Sequence, residues 1–118
     1  MSDNEKKEVS AEAETVENAG VYIHEFKKPF TWDGKEYETL TFDFASLTGA
    51  DVLKIIDEQT MLGMAVSPVR QFDANFQLGT AIRACEEKLG RDAYLSMPMG
   101  DFNRIIDRAR GFLLEQGS

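Results

Sequence analysis

The sequence of 118 residues has little of what catalytic and metal sites require, because it contains one cysteine and one histidine. A lone Cys85 excludes an intrachain disulfide, which is typical of proteins in a reducing compartment. There is no Cys-x-x-Cys and no pair of histidines, so we expect no zinc site. There is also no GxxxxGK[ST] and no GxGxxG, so we expect no phosphate-binding loop. The sequence therefore predicts a protein without a cofactor or a metal ion.

Long apolar runs and clusters of basic residues are also lacking. No stretch approaches the roughly 20 apolar residues of a membrane span, and the N-terminus lacks the apolar run of a signal peptide. Lys and Arg number 13 against 21 Asp and Glu, which gives a net charge of −8. This balance disfavours binding to nucleic acids and to anionic membranes. We expect a cytoplasmic protein that binds neither nucleic acids nor membranes.

The two residues suited to nucleophilic catalysis lie in places that do not favour it. His24 is in a predicted strand, where we expect it to be half-exposed. Cys85 is on the apolar face of a predicted helix, where a free cysteine packs as a small hydrophobic residue. No third group that would orient them is suggested by the sequence. We therefore expect no enzymatic activity.

The first 19 residues differ in composition from the rest of the chain. They contain six acidic residues against two lysines, and three aliphatic side chains larger than alanine. Such a segment cannot bury enough apolar surface to offset the entropy lost on ordering. The sequence predicts a disordered acidic tail over residues 1–19 and a single domain over residues 20–118.

The N-terminal half of this domain has the pattern of a β-hairpin. Val21–Phe26 is rich in strand-forming residues, and Pro29 is expected at an edge or a bulge because it lacks an N–H donor. Asp33-Gly34 is a strong signal for a type I′ turn. The following strand, Glu36–Phe44, alternates apolar and polar residues, which predicts one buried face made by Leu40, Phe42 and Phe44.

The C-terminal half has the spacing of three helices. Thr48 and Asp51 form a capping box for the first helix, and Gly63 is expected to end it. The connection over residues 64–72 is unusually apolar, so part of it is expected to pack against the domain. We expect an α+β fold, with an N-terminal antiparallel β-hairpin or small sheet packed on the three helices.

The second and third helices are defined by apolar stripes and by their end signals. Ala74–Leu89 has an apolar stripe, and Gly90 fits the left-handed position that ends many helices. Pro98 fits the first turn of the third helix, which is expected to run to about Leu114.

Adaptable or large apolar side chains at predicted helix ends and turns are candidates for binding. Methionine is common on surfaces that bind several partners, although it also fills gaps in cores. Trp32, beside the hairpin turn, fits an exposed binding anchor or a residue packed against Tyr37. The methionines at such positions are Met61, Met64, Met97 and Met99, and the binding candidates taken from this group are Met61 and Met64, together with Trp32.

The order of features resembles a known family. The sheet region contains Phe26-x-x-Pro29, Gly34 and the strand Leu40–Phe44, and Thr48-Gly49-Ala50-Asp51 opens the first helix. Leu95-x-x-Pro98-x-x-Asp101-Phe102 precedes a terminal helix that ends in Phe112-Leu113. Over roughly residues 22–114 this order resembles the tail assembly chaperones of bacteriophages and prophages, of the phage P2 and phage Mu type.

This resemblance implies a non-enzymatic role in the cytoplasm of a bacterial host. Proteins of this family are holdases for the tape-measure protein, which sets tail length, and they help to recruit tail-tube subunits. The alternative is a structural tail completion or connector protein that stays in the virion. An amphipathic helix of a tape-measure protein needs an apolar groove.

We place the predicted groove between the first and third helices. The residues expected to line it are Leu53, Ile56, Ile105 and Phe112. The alternative is that these four side chains belong to the hydrophobic core.

Overall fold

The computed structural model describes the backbone of residues 20–117 and the side chains of residues 20–115. The predicted disordered tail over residues 1–19 lies outside the described residues. Within them the chain forms an antiparallel sheet of two strands and four helices, which confirms the α+β class. The elements are β1 (Val21–Trp32), β2 (Lys35–Asp43), α1 (Gly49–Met61), α2 (Ala74–Ala84), α3 (Arg91–Leu95) and α4 (Met99–Gly117). Among the described helices, none has the length and apolar character needed to cross a membrane.

The hairpin turn is formed as the sequence predicts. Asp33 and Gly34 both have positive φ, at 52° and 79°, as a type I′ turn requires. Residues 26–29 of β1 lie between the pairs Glu25–Thr39 and Phe30–Tyr37, so four residues of β1 face Glu38 alone. Pro29 lies in this irregularity, where its missing N–H breaks no regular pairing of the two strands.

One face of the hairpin carries a row of buried aromatic rings. Leu40 and Phe42 of β2 and Phe44, which follows directly after the strand, are all buried, which confirms the predicted alternation. Phe42 stacks on Phe44 at 6.0 Å between ring centroids, and Phe26 stacks on Phe30 at 5.5 Å. Phe26 and Phe30 therefore both lie on the buried side of β1, on either side of its irregularity.

The expectation of a half-exposed His24 is wrong. Its side chain is 0% exposed and lies on the inward face of β1 with Tyr22 and Phe26. Alternation along the strand puts residues 22, 24 and 26 on one face. Hydrogen bonds to Tyr22 on the same face of β1 and to Asp101 of α4 satisfy the ring and make its burial possible.

Helix α2 is the central helix, because it packs against α1, α4 and β2. Its N-terminus is capped by Asp73, whose carboxylate accepts the backbone N–H of Asn75 at 2.9 Å. Helix α1 starts after the predicted capping box at Thr48, and Gly63 follows its end with a φ of 75°. The connection after α1 packs only in part: Met64 is half-buried, whereas Phe72 is 64% exposed.

Helix α2 ends at Ala84, five residues before the predicted end at Leu89. The chain instead turns along β2, where Cys85 bridges Phe42 and the N–H of Glu86 donates to the Thr41 carbonyl at 2.8 Å. Hydrogen bonds to the sheet therefore replace the last helical turns. Gly90 has a φ of −85°, so the predicted left-handed glycine is also wrong.

The terminal helix is longer than predicted. Helix α4 begins at Met99, directly after Pro98, and continues to Gly117 instead of ending near Leu114. The Pro98 carbonyl accepts the first N–H groups of the helix, from Asp101 and Phe102. Ile105 and Ala109 lie in the core, and Phe112 stacks on Phe44 at 5.3 Å, so α4 closes the aromatic face of the hairpin.

Candidate functional site

A buried chain of hydrogen bonds joins β1 to the first turn of α4. The His24 Nε2 atom lies 2.8 Å from a carboxylate oxygen of Asp101, and its Nδ1 atom lies 2.8 Å from the Tyr22 hydroxyl. Arg104 donates to the same oxygen of Asp101 at 2.9 Å and to the backbone carbonyl of Glu25 at 3.3 Å. The chain therefore fixes α4 against both the side chains and the backbone of β1.

The protonation states in this chain follow from its surroundings. Burial lowers the pKa of His24, although the Asp101 carboxylate acts in the opposite direction. In the neutral ring, Nε2–H donates to Asp101 and Nδ1 accepts the hydroxyl proton of Tyr22. Burial also raises the pKa of Tyr22, which keeps its hydroxyl available as that donor. His24 is fully buried, and both of its ring nitrogens are bonded within the protein. We therefore assign this network of hydrogen bonds a structural role.

Cys85 is packed, as the sequence predicts, although it lies just beyond α2 and not within it. Its sulfur is 3.6 Å from a carboxylate oxygen of Glu87, and burial raises the pKa of the thiol. A raised pKa reduces the thiolate fraction that makes a cysteine nucleophilic. The ring nitrogens of His24 are bonded to Tyr22 and Asp101 and the sulfur of Cys85 to Glu87, and no hydrogen bond between His24 and Cys85 occurs among the described residues.

A groove of about 430 Å³ lies between α1 and α2 and reaches the start of α3. Helices α1 and α2 run antiparallel, because Gln59 bonds Asp73 at one end and Asp51 pairs with Arg83 at the other. The residues that line the groove are mainly apolar side chains, glycines and a few polar groups: Ile55, Glu58, Gln59, Met61, Leu62, Asn75, Gly79, Ile82, Gly90 and Arg91.

Gly79 allows the two helices to approach closely beneath this groove. A Cβ atom at position 79 would lie 2.6 Å from Cγ2 of Ile55, closer than packed carbon atoms come. The absence of a side chain at this position therefore sets the separation of α1 and α2.

A buried amide beside the groove is only partly satisfied. The Nε2 atom of Gln59 donates to Asp73 at 3.2 Å, but its Oε1 atom has no hydrogen-bond partner among the described residues. An unpaired buried acceptor costs about 1–3 kcal/mol. The contribution of Gln59 to the stability of the α1–α2 pair therefore does not by itself explain a polar residue at this position.

Large apolar side chains at one end of the groove are exposed. Met61 is 83% exposed, and Leu62 beside it is also exposed. Exposed apolar residues that adjoin one another are typical of interaction sites. Met64 is half-buried and its sulfur contacts the Arg91 guanidinium at 3.9 Å, which places it at the same end.

The other predicted binding residues lie apart from this groove. Ile105 is 1% exposed in the core, and Leu53 is 65% exposed on α1. Ile56 is half-buried on α1, and Phe112 is half-buried on α4. Trp32 is also half-buried and stacks on Phe30 at 6.3 Å. A binding role for these five residues stays a prediction.

No model of a known protein family, no curated protein sequence and no solved structure matches this chain. The residues that the structure describes also contain no group of three or more His, Cys, Asp or Glu side chains that could hold a metal ion. The groove is therefore characterised by its own geometry and chemistry.

Of the ten residues that line the groove, sequence reasoning named only Met61 as a binding candidate, and the nine that it missed include Gln59, Gly79 and Arg91. The glycine within the predicted apolar stripe of α2 was a usable signal, because an interior helical glycine often marks a close approach. No local pattern singles out Gln59 or Arg91, since both would suit an exposed helix surface equally well.

Proposed function

We propose that this protein is a non-enzymatic binding protein that holds an amphipathic helix of a client in the groove between α1 and α2. In the setting that the sequence resemblance suggests, the client is a phage tape-measure protein and the role is that of a tail assembly chaperone. The observation that carries the proposal is an apolar groove that ends at the exposed side chains of Met61 and Leu62.

The shape and chemistry of the groove suit a helix better than a small polar substrate. Its base is Ile55, Gly79 and Ile82, which offer no charged group. An amphipathic helix places apolar residues at steps of three and four on one face, which suits an apolar groove between two helices. Met61 can adapt its side chain to different client residues.

The acidic character of the chain supports the same role. A tape-measure protein is expected to expose apolar helical stripes before the tail tube encloses it. A bound partner with a net charge of −8 adds mutual repulsion between complexes and limits their association.

Co-expression with the candidate tape-measure protein tests the proposal. We expect the full chain to co-purify with this client and to raise its soluble yield. Met61→Glu places a charge at the end of the groove and is expected to reduce both effects. Met99→Glu is the matched control, because Met99 is a 74% exposed methionine outside the groove and should leave both unchanged.

Two results would contradict the proposal. One is an equal effect of the two methionine variants, which would place binding elsewhere on the molecule. The other is the presence of this chain in purified virions at a fixed copy number, measured by mass spectrometry. That result would favour the structural tail component instead.

A further inference from the structure

The groove has a different charge on each of its two sides. Glu58 is exposed on α1, and its carboxylate has no ion-pair partner among the described residues. Arg91 lines the opposite side, where its Nη2 atom donates to the side-chain oxygen of Asn75 in α2 at 3.0 Å. The apolar base therefore lies between an acidic side and a basic side.

The two charges lie at about the same level along the groove. The antiparallel pairing of α1 and α2 sets Gln59 beside Asp73 and Ile55 beside Gly79. Glu58, next to Gln59, is therefore level with the first turn of α2. Arg91 is held at that turn by Asn75, since its Nη2 atom bonds the Asn75 side chain.

Arg91 is held in place by hydrogen bonds, but some of its N–H groups remain available to bind a partner. Its Nη2 atom contacts Asn75 and the sulfur of Met64, whereas its Nε and Nη1 atoms have no hydrogen-bond partner within residues 20–115. A guanidinium with free N–H groups in a fixed fork is well suited to bind a carboxylate.

We infer that the groove accepts its client helix in one direction only, with basic residues on the flank facing Glu58 and acidic residues on the flank facing Arg91. This rests on the proposed function. A helix that is reversed in the groove with its apolar face still down exchanges its two flanks. The reversed helix would set its acids against Glu58 and its bases against Arg91, and such like-charge contacts are unfavourable.

Two synthetic helical peptides of the same composition test the direction. Both carry the same apolar stripe. The first has lysines on one flank and glutamates on the other, and the second has the two flanks exchanged. Each carries a nitroxide at its N-terminus, and broadening of methyl NMR signals of the full chain reports which end of the groove the label occupies.

We expect the two peptides to bind in opposite directions. One label should broaden the methyl signal of Met61, near the end of α1, and the other should broaden those of Ile82, farther along α2. A peptide of the same composition with lysines and glutamates mixed on both flanks should bind about fivefold more weakly, since each surface ion pair contributes less than about 1 kcal/mol.

A charge reversal on the protein provides the second test. Glu58→Lys should lower the affinity for both segregated peptides by severalfold, because it sets lysine against lysine. Asp57→Lys is the matched control, since Asp57 is an exposed acid on α1 outside the groove, and it should have a much smaller effect.

The outcomes separate the two proposals. If all three peptides bind the groove but the labels of both segregated peptides occupy the same end, or the mixed peptide binds equally well, the directional inference is wrong and the groove function stands. If none of the peptides binds, the proposed function fails and the direction fails with it.

Discussion

The imidazole of His24 and the carboxylate of Asp101 lie 2.8 Å apart, although 77 residues separate them in the chain. This bond joins β1 to the first turn of α4 across the core. It follows that the position of α4 depends on this polar contact as well as on the packing of the helix's apolar face.

Asp101→Asn is expected to lower the free energy of unfolding by about 2 kcal/mol, because it weakens the buried hydrogen bond to His24 and the partly buried one to Arg104. Urea denaturation followed by circular dichroism measures this loss. Asp107→Asn is the control in the same helix: its pair with Arg110 is exposed and should contribute less than about 0.5 kcal/mol. Equal losses in the two variants would show that the buried network adds nothing to stability.

The stability of the domain is expected to fall as the pH is lowered from about 7 to about 5. Burial lowers the pKa of His24 from its ordinary value of 6.5. The unfolded chain therefore binds a proton in a range where the folded protein does not, and this favours unfolding at the lower pH. His24 is the only histidine, so its ring protons give a unique NMR titration. A pKa at or above 6.5 in the folded protein would contradict this account.

Gly79→Ala is expected to destabilise the domain by about 1–2 kcal/mol, even though alanine favours helices over glycine. The added Cβ would meet Ile55 at 2.6 Å and would force α1 away from α2. Gly111→Ala is the matched control in α4, where a Cβ meets nothing within 4 Å, and it should raise stability by up to about 1 kcal/mol. Thermal unfolding of both variants decides the point, and stabilisation by both would rule out the close helix contact.

Asp51→Ala is expected to cost about 1–2 kcal/mol of unfolding free energy, because this carboxylate bonds both Thr48 at the start of α1 and Arg83 of α2. It accepts the backbone N–H of Thr48 at 2.8 Å and pairs with Arg83 of α2 at 2.6 Å, and both lower the pKa of Asp51. Asp57→Ala removes an exposed acid from the same helix and should change stability by less than about 0.5 kcal/mol. Chemical denaturation that ranks the two variants equally would contradict the capping role.

Gln59→Met is expected to leave stability unchanged or to raise it by up to about 1 kcal/mol, because it removes an unpaired buried acceptor. Gln77→Met is the comparison in the same helix pair. Gln77 is equally buried, but it donates to the Gln71 carbonyl at 2.7 Å, so its loss should cost about 1 kcal/mol. A clear destabilisation by Gln59→Met would mean that its bond to Asp73 outweighs the unpaired oxygen.

Local chemistry explains which parts of the fold the sequence predicts. The turn at Asp33-Gly34, the capping box at Thr48 and the alternation along β2 each depend on residues that are neighbours in the chain. The end of α2 depends instead on Thr41, which is 45 positions before Glu86 and takes the hydrogen bond of its N–H. No pattern within α2 reveals that competition.

The sequence names Met61 as a binding candidate but does not locate the groove that Met61 lines. A binding role for Met61 stays a prediction. The location of the groove depends on how closely α1 approaches α2, which Gly79 and Ile55 decide together. The burial of His24 similarly depends on its hydrogen bond to Asp101, and no local sequence pattern indicates this contact because the two residues are 77 positions apart.

The segment after α2 covers part of the free edge of β2. At Thr41 the carbonyl of β2 is taken by Glu86, and the N–H donates to the Glu87 carboxylate at 2.9 Å. An incoming extended chain finds both groups of this residue occupied and an acidic side chain in its path. Addition of a further strand to this edge of β2 is therefore obstructed at Thr41.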